Sequence, residues 1–166
     1  MFQAFDSDPG DALFSRAQWM ALLARSPLPL LEQAVGESAS CGLQWLRRPQ
    51  AGLMMVQGRA GGTGERFNLG EVTVTRCALR LTQAPAGHAG VAWVLGRDQR
   101  HCTLAAVADA LLQDPAQHAG LVRQLLIPIR QHIAAAQRER AELAQATRVD
   151  FFTVAREAGT ETEASA

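Results

Sequence analysis

The fold is decided by the stretch Val72-Thr-Val-Thr-Arg-Cys-Ala-Leu-Arg-Leu81, whose first four residues are β-branched. β-Branched side chains fit the pleated surface of a sheet, so this stretch predicts a strand. Three further segments have the composition of strands: 43–47, 53–59 and 91–95. Short connections rich in glycine and proline favour antiparallel pairing over parallel crossovers. The sequence therefore predicts an antiparallel sheet of about four strands.

Helical spacing of apolar residues flanks this sheet in the sequence. Before it we predict helices over 13–25 and 28–35, with Gly36 as the C-cap of the second helix. After it, apolar stripes indicate further helices, and Pro128 is expected to kink or restart the last one. That last helix becomes mostly polar after residue 136, where Leu143 is its only large apolar residue.

These patterns predict an α+β fold: N-terminal helices, the antiparallel sheet, then C-terminal helices with a long terminal helix and an extended tail. We predict one domain over residues 11–156, with flexible ends at 1–10 and 157–166. Strand 91–95 is apolar on both faces, which is typical of a strand covered on both sides. Helices of this chain could cover both faces, or another chain could cover one.

Composition excludes several classes of function. Sixteen basic residues balance sixteen acidic ones, so the whole molecule has no bias toward nucleic acid or anionic lipid. The chain shows no signal peptide and no apolar run of about 18 residues, so we expect a cytoplasmic protein that does not enter a membrane. Cys41, Cys77 and Cys102 lack metal-ligand spacing. We interpret them as reduced, buried residues and predict no metal site.

One candidate anion site is the stretch Arg59-Ala-Gly-Gly-Thr-Gly-Glu-Arg66. Gly62 and Gly64 would let backbone N–H groups approach an anion, and Arg59 and Arg66 could hold phosphate oxygens. The stretch is not a Walker A motif, because no Gly-Lys-Ser/Thr follows. The alternative is a glycine turn between two strands, with Glu65 and Arg66 in structural ion pairs.

Two arginines on the decisive strand are candidates for contact with another subunit. Arg76 and Arg80 share one face of the strand, about 13 Å apart. A guanidinium carries five donors, which a carboxylate, a carbonyl or a subunit boundary can satisfy. The alternative is plain exposure to solvent.

The stretch Gly96-Arg97-Asp98 lies between the last strand and a helix, where Asp98 is predicted to be the N-cap. Arg97 is a further candidate for anion contact. His101 and Glu65 are candidates for acid–base catalysis, since an imidazole titrates near neutrality and a carboxylate can act as a base. No second catalytic group stands at a diagnostic spacing from either residue. We interpret Asp109 as a solvated or paired surface carboxylate.

The C-terminal segment predicts a docking arm. Thr147 and Asp150 form a variant of the capping box, which would start a short helix carrying Val149, Phe151 and Phe152. A polar helix followed by these apolar residues suggests insertion into a partner groove. The alternative is that the segment folds back on its own core.

Three stretches in this order resemble one family, over residues 16–156. They are Arg59-Ala-Gly-Gly-Thr-Gly-Glu-Arg-Phe67 followed by residues 70–81; Trp93-Val-Leu-Gly-Arg-Asp98 with His101 and Ala108-Asp-Ala-Leu111; and Arg148-Val-Asp-Phe-Phe-Thr153. The combination is similar to the PhnG family of bacterial carbon–phosphorus lyase systems.

The resemblance implies a core subunit assembled with PhnH-, PhnI- and PhnJ-type partners. Such an assembly takes ATP and an alkylphosphonate, releases adenine and forms ribose 1-alkylphosphonate 5-triphosphate. ATP would be the substrate of the complex, and this chain would hold no cofactor and have a mainly structural role. The resemblance also implies that iron–sulfur radical chemistry belongs to the PhnJ-type subunit. This chain lacks the clustered cysteines that an iron–sulfur cluster needs.

Two other classes of function remain open. One is a generic adaptor outside phosphonate metabolism. The other is an autonomous nucleotide hydrolase, against which the missing P-loop and the missing acid–base pair both argue.

Overall fold

A computed structural model describes residues 14–40, 42–82 and 87–148 of the chain. These residues form an α+β fold with one antiparallel sheet and a long C-terminal helix, which confirms the predicted fold class. The elements, in chain order, are α1 (Arg16–Leu23), α2 (Leu28–Ser40), β1 (Leu43–Arg59), β2 (Arg66–Leu81), β3 (Ala89–Leu95), α3 (Gln99–Leu112), α4 (Pro115–Leu121) and α5 (Ile127–Ala146).

The sheet in this part of the chain has three strands in the order β1-β2-β3, rather than about four. The predicted strands 43–47 and 53–59 are two halves of β1, and the proline-glycine segment between them is not a turn. Pro49 is tolerated there because β1 is an edge strand, where a missing backbone N–H breaks no ladder hydrogen bond. Register shifts between Trp45 and Gln50 absorb the irregularity.

The first two strands extend well beyond the third. β3 pairs with β2 only from Val74 to Arg80, whereas β1 and β2 stay paired out to Arg59 opposite Arg66. Residues 53–73 therefore form a two-stranded hairpin, here called the arm, which projects roughly 20 Å past the last rung of β3.

Helix α3 covers one face of the sheet and is itself covered by the other helices. Eleven of its residues are buried, from His101 to Leu112, with Thr103 the exception in that range. Small residues allow its backbone to lie directly on β3: a Cβ at Gly90 would overlap the carbonyl oxygen of Ala106. The core consequently lies between this face of the sheet and the outer helices.

Two helix boundaries bear on the predictions. Gly36 was expected to cap α2, but that expectation is wrong, since α2 continues through it to Ser40. Glycine in a helix interior is tolerated at a modest cost in stability. Pro128 lies in the first turn of α5, just after a π-helical turn over Val122–Leu126, so the predicted restart of the helix is confirmed.

A buried carboxylate joins three elements of the fold. The Asp109 side chain is fully buried and accepts hydrogen bonds from Arg16 Nε (3.1 Å) and Nη2 (2.7 Å) and from Trp19 Nε1 (2.9 Å). The backbone N–H of Val91 donates a fourth bond, at 2.9 Å. The bonds from Arg16 raise the pKa of its guanidinium. The interpretation of Asp109 as a surface group is therefore wrong: it fastens α1 and β3 to α3.

Cys77 on β2 and Cys102 on α3 are free and buried, as predicted for these two cysteines, with their Sγ atoms 3.4 Å apart. The hydrogen bond between the thiols and their burial raise the pKa of Cys77. Cys41 lies outside the described residues.

We therefore expect these two thiols to resist modification in the native protein, because the reactive species is an exposed thiolate. In a Cys41→Ser chain at pH 8, less than about one-tenth of the thiol should react with Ellman's reagent within minutes, and both thiols should react in guanidinium. Fast reaction of a thiol in the folded chain would contradict the buried placement.

Candidate functional site

One face of the sheet is left open by the described helices. On this open face, opposite to α3, Trp93 is 48% exposed and Leu95 is 69% exposed. Arg76 lies across from Trp93 in the register, with its guanidinium carbon 5.4 Å from the indole centroid. Arg80 is exposed on the same face. In the part of the chain that the structure describes, neither arginine forms an ion pair.

The tip of the arm brings two predicted anion contacts together. Arg59 and Arg66 are directly opposite each other on the last rung of the hairpin. Like charges in this position repel unless something neutralises them. Arg59 Nη1 donates to the carbonyl of Gly64 at 3.2 Å, and no carboxylate among the described residues pairs with either guanidinium. The ion pair of Arg66 that was considered as the alternative is therefore absent among the described residues.

The turn between these arginines has the geometry that glycine permits. Gly61 and Gly62 have φ values of 57° and 82°, in the left-handed region that L-residues avoid. Nothing among the described atoms lies within 4 Å of a Cβ built at either position, so the turn is accessible from outside. Gly64 instead closes the turn, donating its N–H to the Ala60 carbonyl at 2.8 Å.

Arg97 is not part of this cluster. It follows Gly96, whose N–H donates to the Thr73 carbonyl at the base of the arm. Six residues of extended strand, roughly 20 Å, separate that level from the tip at Arg59. The structure thus joins Arg59 with Arg66 and places Arg97 at the other end of the arm.

The two catalytic candidates, His101 and Glu65, are also far apart in the structure. Asp98 Oδ1 accepts from the backbone N–H of His101 at 2.9 Å, which confirms the predicted N-cap. The His101 Nε2 atom is 2.9 Å from the Leu23 carbonyl and 3.2 Å from Ser26 Oγ, so the ring links α3 to the end of α1. Glu65 is exposed at the tip of the arm. A catalytic role for either residue stays a prediction.

The remaining predictions concern the ends of the chain, metal binding and membrane insertion. Val149, Phe151 and Phe152 lie outside the described residues, as do the ends 1–10 and 157–166. The residues that are described include no group of three or more His, Cys, Asp or Glu side chains placed to hold a metal ion. Within the same residues, no helix is both long and apolar enough to cross a bilayer.

A further concave site lies between α1 and α4 and contains none of the predicted site residues. Its walls are mostly apolar, and His118 Nε2 is buried there without a hydrogen-bond partner among the described atoms. The lining residues are Phe14, Trp19, His88, Leu112, Gln113, Pro115, His118 and Ala119.

Fold and surface together define an α+β protein with one uncovered sheet face and a projecting arm, in which the described catalytic candidates do not converge.

Comparison with known proteins identifies its relatives. The family model described as "Phosphonate metabolism protein PhnG" matches residues 14–157. The chain is also 38% identical to the "Alpha-D-ribose 1-methylphosphonate 5-triphosphate synthase subunit PhnG" of Rhizobium meliloti (strain 1021), with 94% of this chain and 98% of that protein covered.

The chain belongs to the PhnG family of phosphonate metabolism proteins. The family membership agrees with the resemblance found in the sequence. The matched range, residues 14–157, is close to the domain predicted over 11–156, whose ends stay a prediction.

Proposed function

We propose that this chain is a structural subunit of a cytoplasmic synthase that makes ribose 1-alkylphosphonate 5-triphosphate from ATP and an alkylphosphonate. The relative at 38% identity is named as a subunit of the methylphosphonate enzyme of this kind. The observation that carries the proposal is the open face of the sheet in a member of this family, where Trp93 and Leu95 are exposed beside Arg76. Exposed apolar surface rimmed by polar groups is typical of an interaction site.

The proposed partners are PhnI-, PhnH- and PhnJ-type subunits. Co-expression with these three chains, followed by size-exclusion chromatography, tests the assembly. We expect the chain to elute with its partners in one peak of higher mass. Separate elution of all components at micromolar concentration would refute the subunit role.

An assay of the purified chain alone tests whether it has catalytic activity without its partners. It should release no adenine from ATP, because its catalytic candidates His101 and Glu65 do not converge and the glycine turn of the arm is not a Walker A motif. Adenine release should appear only with the assembled partners and an alkylphosphonate. Adenine release by the chain alone would favour an autonomous hydrolase instead.

We also propose that the arginines of the arm tip contact the phosphates of the substrate in the assembly, with Gly62 and Gly64 shaping the turn. The opposed, unpaired guanidiniums of Arg59 and Arg66 support this, since an anion between them would offset their repulsion. Arg97, which lies apart from them, would contact the substrate independently.

The Arg66→Ala variant should lower kcat/KM for ATP in the assembled complex by about tenfold or more, as expected when a charge-assisted hydrogen bond is lost. Assembly should be unchanged, as judged by co-purification. Arg123→Ala, which removes an exposed arginine outside the sheet, is the matched control. Equal losses of assembly and turnover in Arg66→Ala would reject a ligand role.

For the tail we propose docking into the PhnI-type partner through Val149, Phe151 and Phe152. Deleting residues 148–166 should leave a folded chain, with an unchanged circular dichroism spectrum, that no longer co-purifies with that partner. Unchanged co-purification would refute the docking role of the tail.

A further inference from the structure

The arm exposes apolar side chains on both of its sides. In the register, Met54 is opposite Val72 on the side that continues the open face, whereas Leu53 opposite Thr73 and Met55 alternate to the other side. No residue from 53 to 73 is buried among the described parts of the chain. The large apolar residues exposed on the arm are Leu53, Met54, Met55, Phe67 and Leu69.

The arm needs another protein surface to pack against its apolar side chains. A lone hairpin is marginally stable in water, because stability requires a third strand or a hydrophobic face packed on something else. Beyond Val74 the arm has no third strand, and α3 buries no residue past that level. The uncovered apolar residues lie on both sides of the arm. A partner surface that packed against one side alone would therefore leave the apolar residues of the other side exposed to water.

The charge of the sheet indicates whether the molecule that packs on the arm is a second copy of this chain or a different chain. The three strands hold one acidic residue, Glu71, against six arginines, none of which forms an ion pair within the described residues. Two of the six, Arg59 and Arg66, are assigned above to substrate phosphates, which leaves four for a protein partner. The six are Arg47, Arg48, Arg59, Arg66, Arg76 and Arg80. A second copy packed on this sheet through the same surface would bring more arginine to it, at a cost from like-charge repulsion. A favourable partner instead presents carboxylates around an apolar centre.

We infer that the arm inserts into a cleft of another polypeptide of the assembly, a cleft with apolar walls on both sides and an excess of Asp and Glu at its rim. The inference rests on the proposed function, because it names the surface through which this subunit joins its partners. Insertion also carries Arg59 and Arg66 at the tip into the partner, away from the helices of their own chain.

Photo-crosslinking in the assembled complex tests for a cleft. Benzoylphenylalanine is placed singly at Leu53 and at Met54, which point to opposite sides of the arm. Both positions should crosslink to the same partner subunit, identified by mass spectrometry. Crosslinks from one side alone, or to a second copy of this chain, would overturn the inference.

Affinity measurements test the energetic role with a matched control. The double variant Leu53→Ser/Leu69→Ser should weaken binding to the partner subunits at least tenfold, with a melting temperature within a few degrees of wild type. Leu143→Ser is the control, since Leu143 on α5 is 64% exposed and Leu69 is 67% exposed. The control should change affinity less than twofold. Equal affinities for wild type and the double variant sink the inference but leave the subunit role intact.

The same experiments separate the two claims. If the unmodified chain assembles and the arm variants assemble equally well, only the arm inference fails. If the unmodified chain does not assemble, the proposed function fails and the arm inference fails with it. If the arm variants lose a concentration-dependent dimer of the isolated chain, the occupant is a second copy and the inference of an acidic partner is wrong.

Discussion

The Asp109→Ala variant should lose about 3–5 kcal/mol of unfolding free energy, because it removes a buried carboxylate on which buried N–H donors depend. The carboxylate is 0% exposed and accepts four hydrogen bonds. Without it, the Trp19 indole N–H and the Val91 backbone N–H are left in the core without an acceptor, and each such group costs about 1–3 kcal/mol. For a chain of this size the melting temperature should fall by about 10 °C or more.

A control variant distinguishes the loss of the Asp109 hydrogen bonds from the loss of any acidic residue. Asp114→Ala removes the N-cap of α4, where the Asp114 carboxylate accepts from Ala116 N at 3.0 Å. That cap is solvent-accessible, so its removal should cost about 1 kcal/mol. Arg16→Ala should have an effect between the two, because the Arg16 side chain is 45% exposed and water can replace part of its contacts. Similar melting temperatures for all three variants would contradict the central role of Asp109.

The Gly90→Ala variant should be the second most damaging. Its new Cβ would overlap the Ala106 carbonyl oxygen and lie 2.9 Å from the Ala110 Cβ, so α3 would have to move off β3. Overpacking typically costs about 1–3 kcal/mol, and we expect the upper end or beyond because the obstacle is backbone. Thermal melting and the soluble yield measure the loss.

Gly120→Ala is the matched control. Gly120 lies within α4, and no described atom lies within 4 Å of a Cβ built there. Alanine favours a helix over glycine by up to about 1 kcal/mol, so this variant should melt at the wild-type temperature or above it. A Gly90→Ala protein as stable as Gly120→Ala would show that α3 and β3 are not in direct backbone contact.

The fold class was predictable because each long element has a clear local pattern. The β-branched run of β2 and the apolar stripe of α3 both indicate their structures without reference to the rest of the chain. The merging of two predicted strands into β1 was not predictable in this way. Pro49 and Gly52 indicate a turn locally, and only pairing with a long neighbouring strand overrides that signal.

The candidate site was predictable where its residues are close in sequence. Arg59 and Arg66 flank a short glycine turn, so their juxtaposition follows from the hairpin itself. The environment of Asp109 was not predictable, since its side-chain partners Arg16 and Trp19 are 93 and 90 residues away in the sequence. One signal was present: Asp109 falls within a run of apolar and small residues, where a solvated carboxylate is out of place.

The long separation between Arg16 and Asp109 has a consequence for biosynthesis. Ribosomes add about 5–20 residues per second, so Asp109 follows Arg16 by on the order of 5–20 s. During that interval Trp19 lacks its hydrogen-bond acceptor, and the leucines of α1 lack the helix on which they pack. The apolar side of α1 therefore stays uncovered on the nascent chain until α3 has been synthesised.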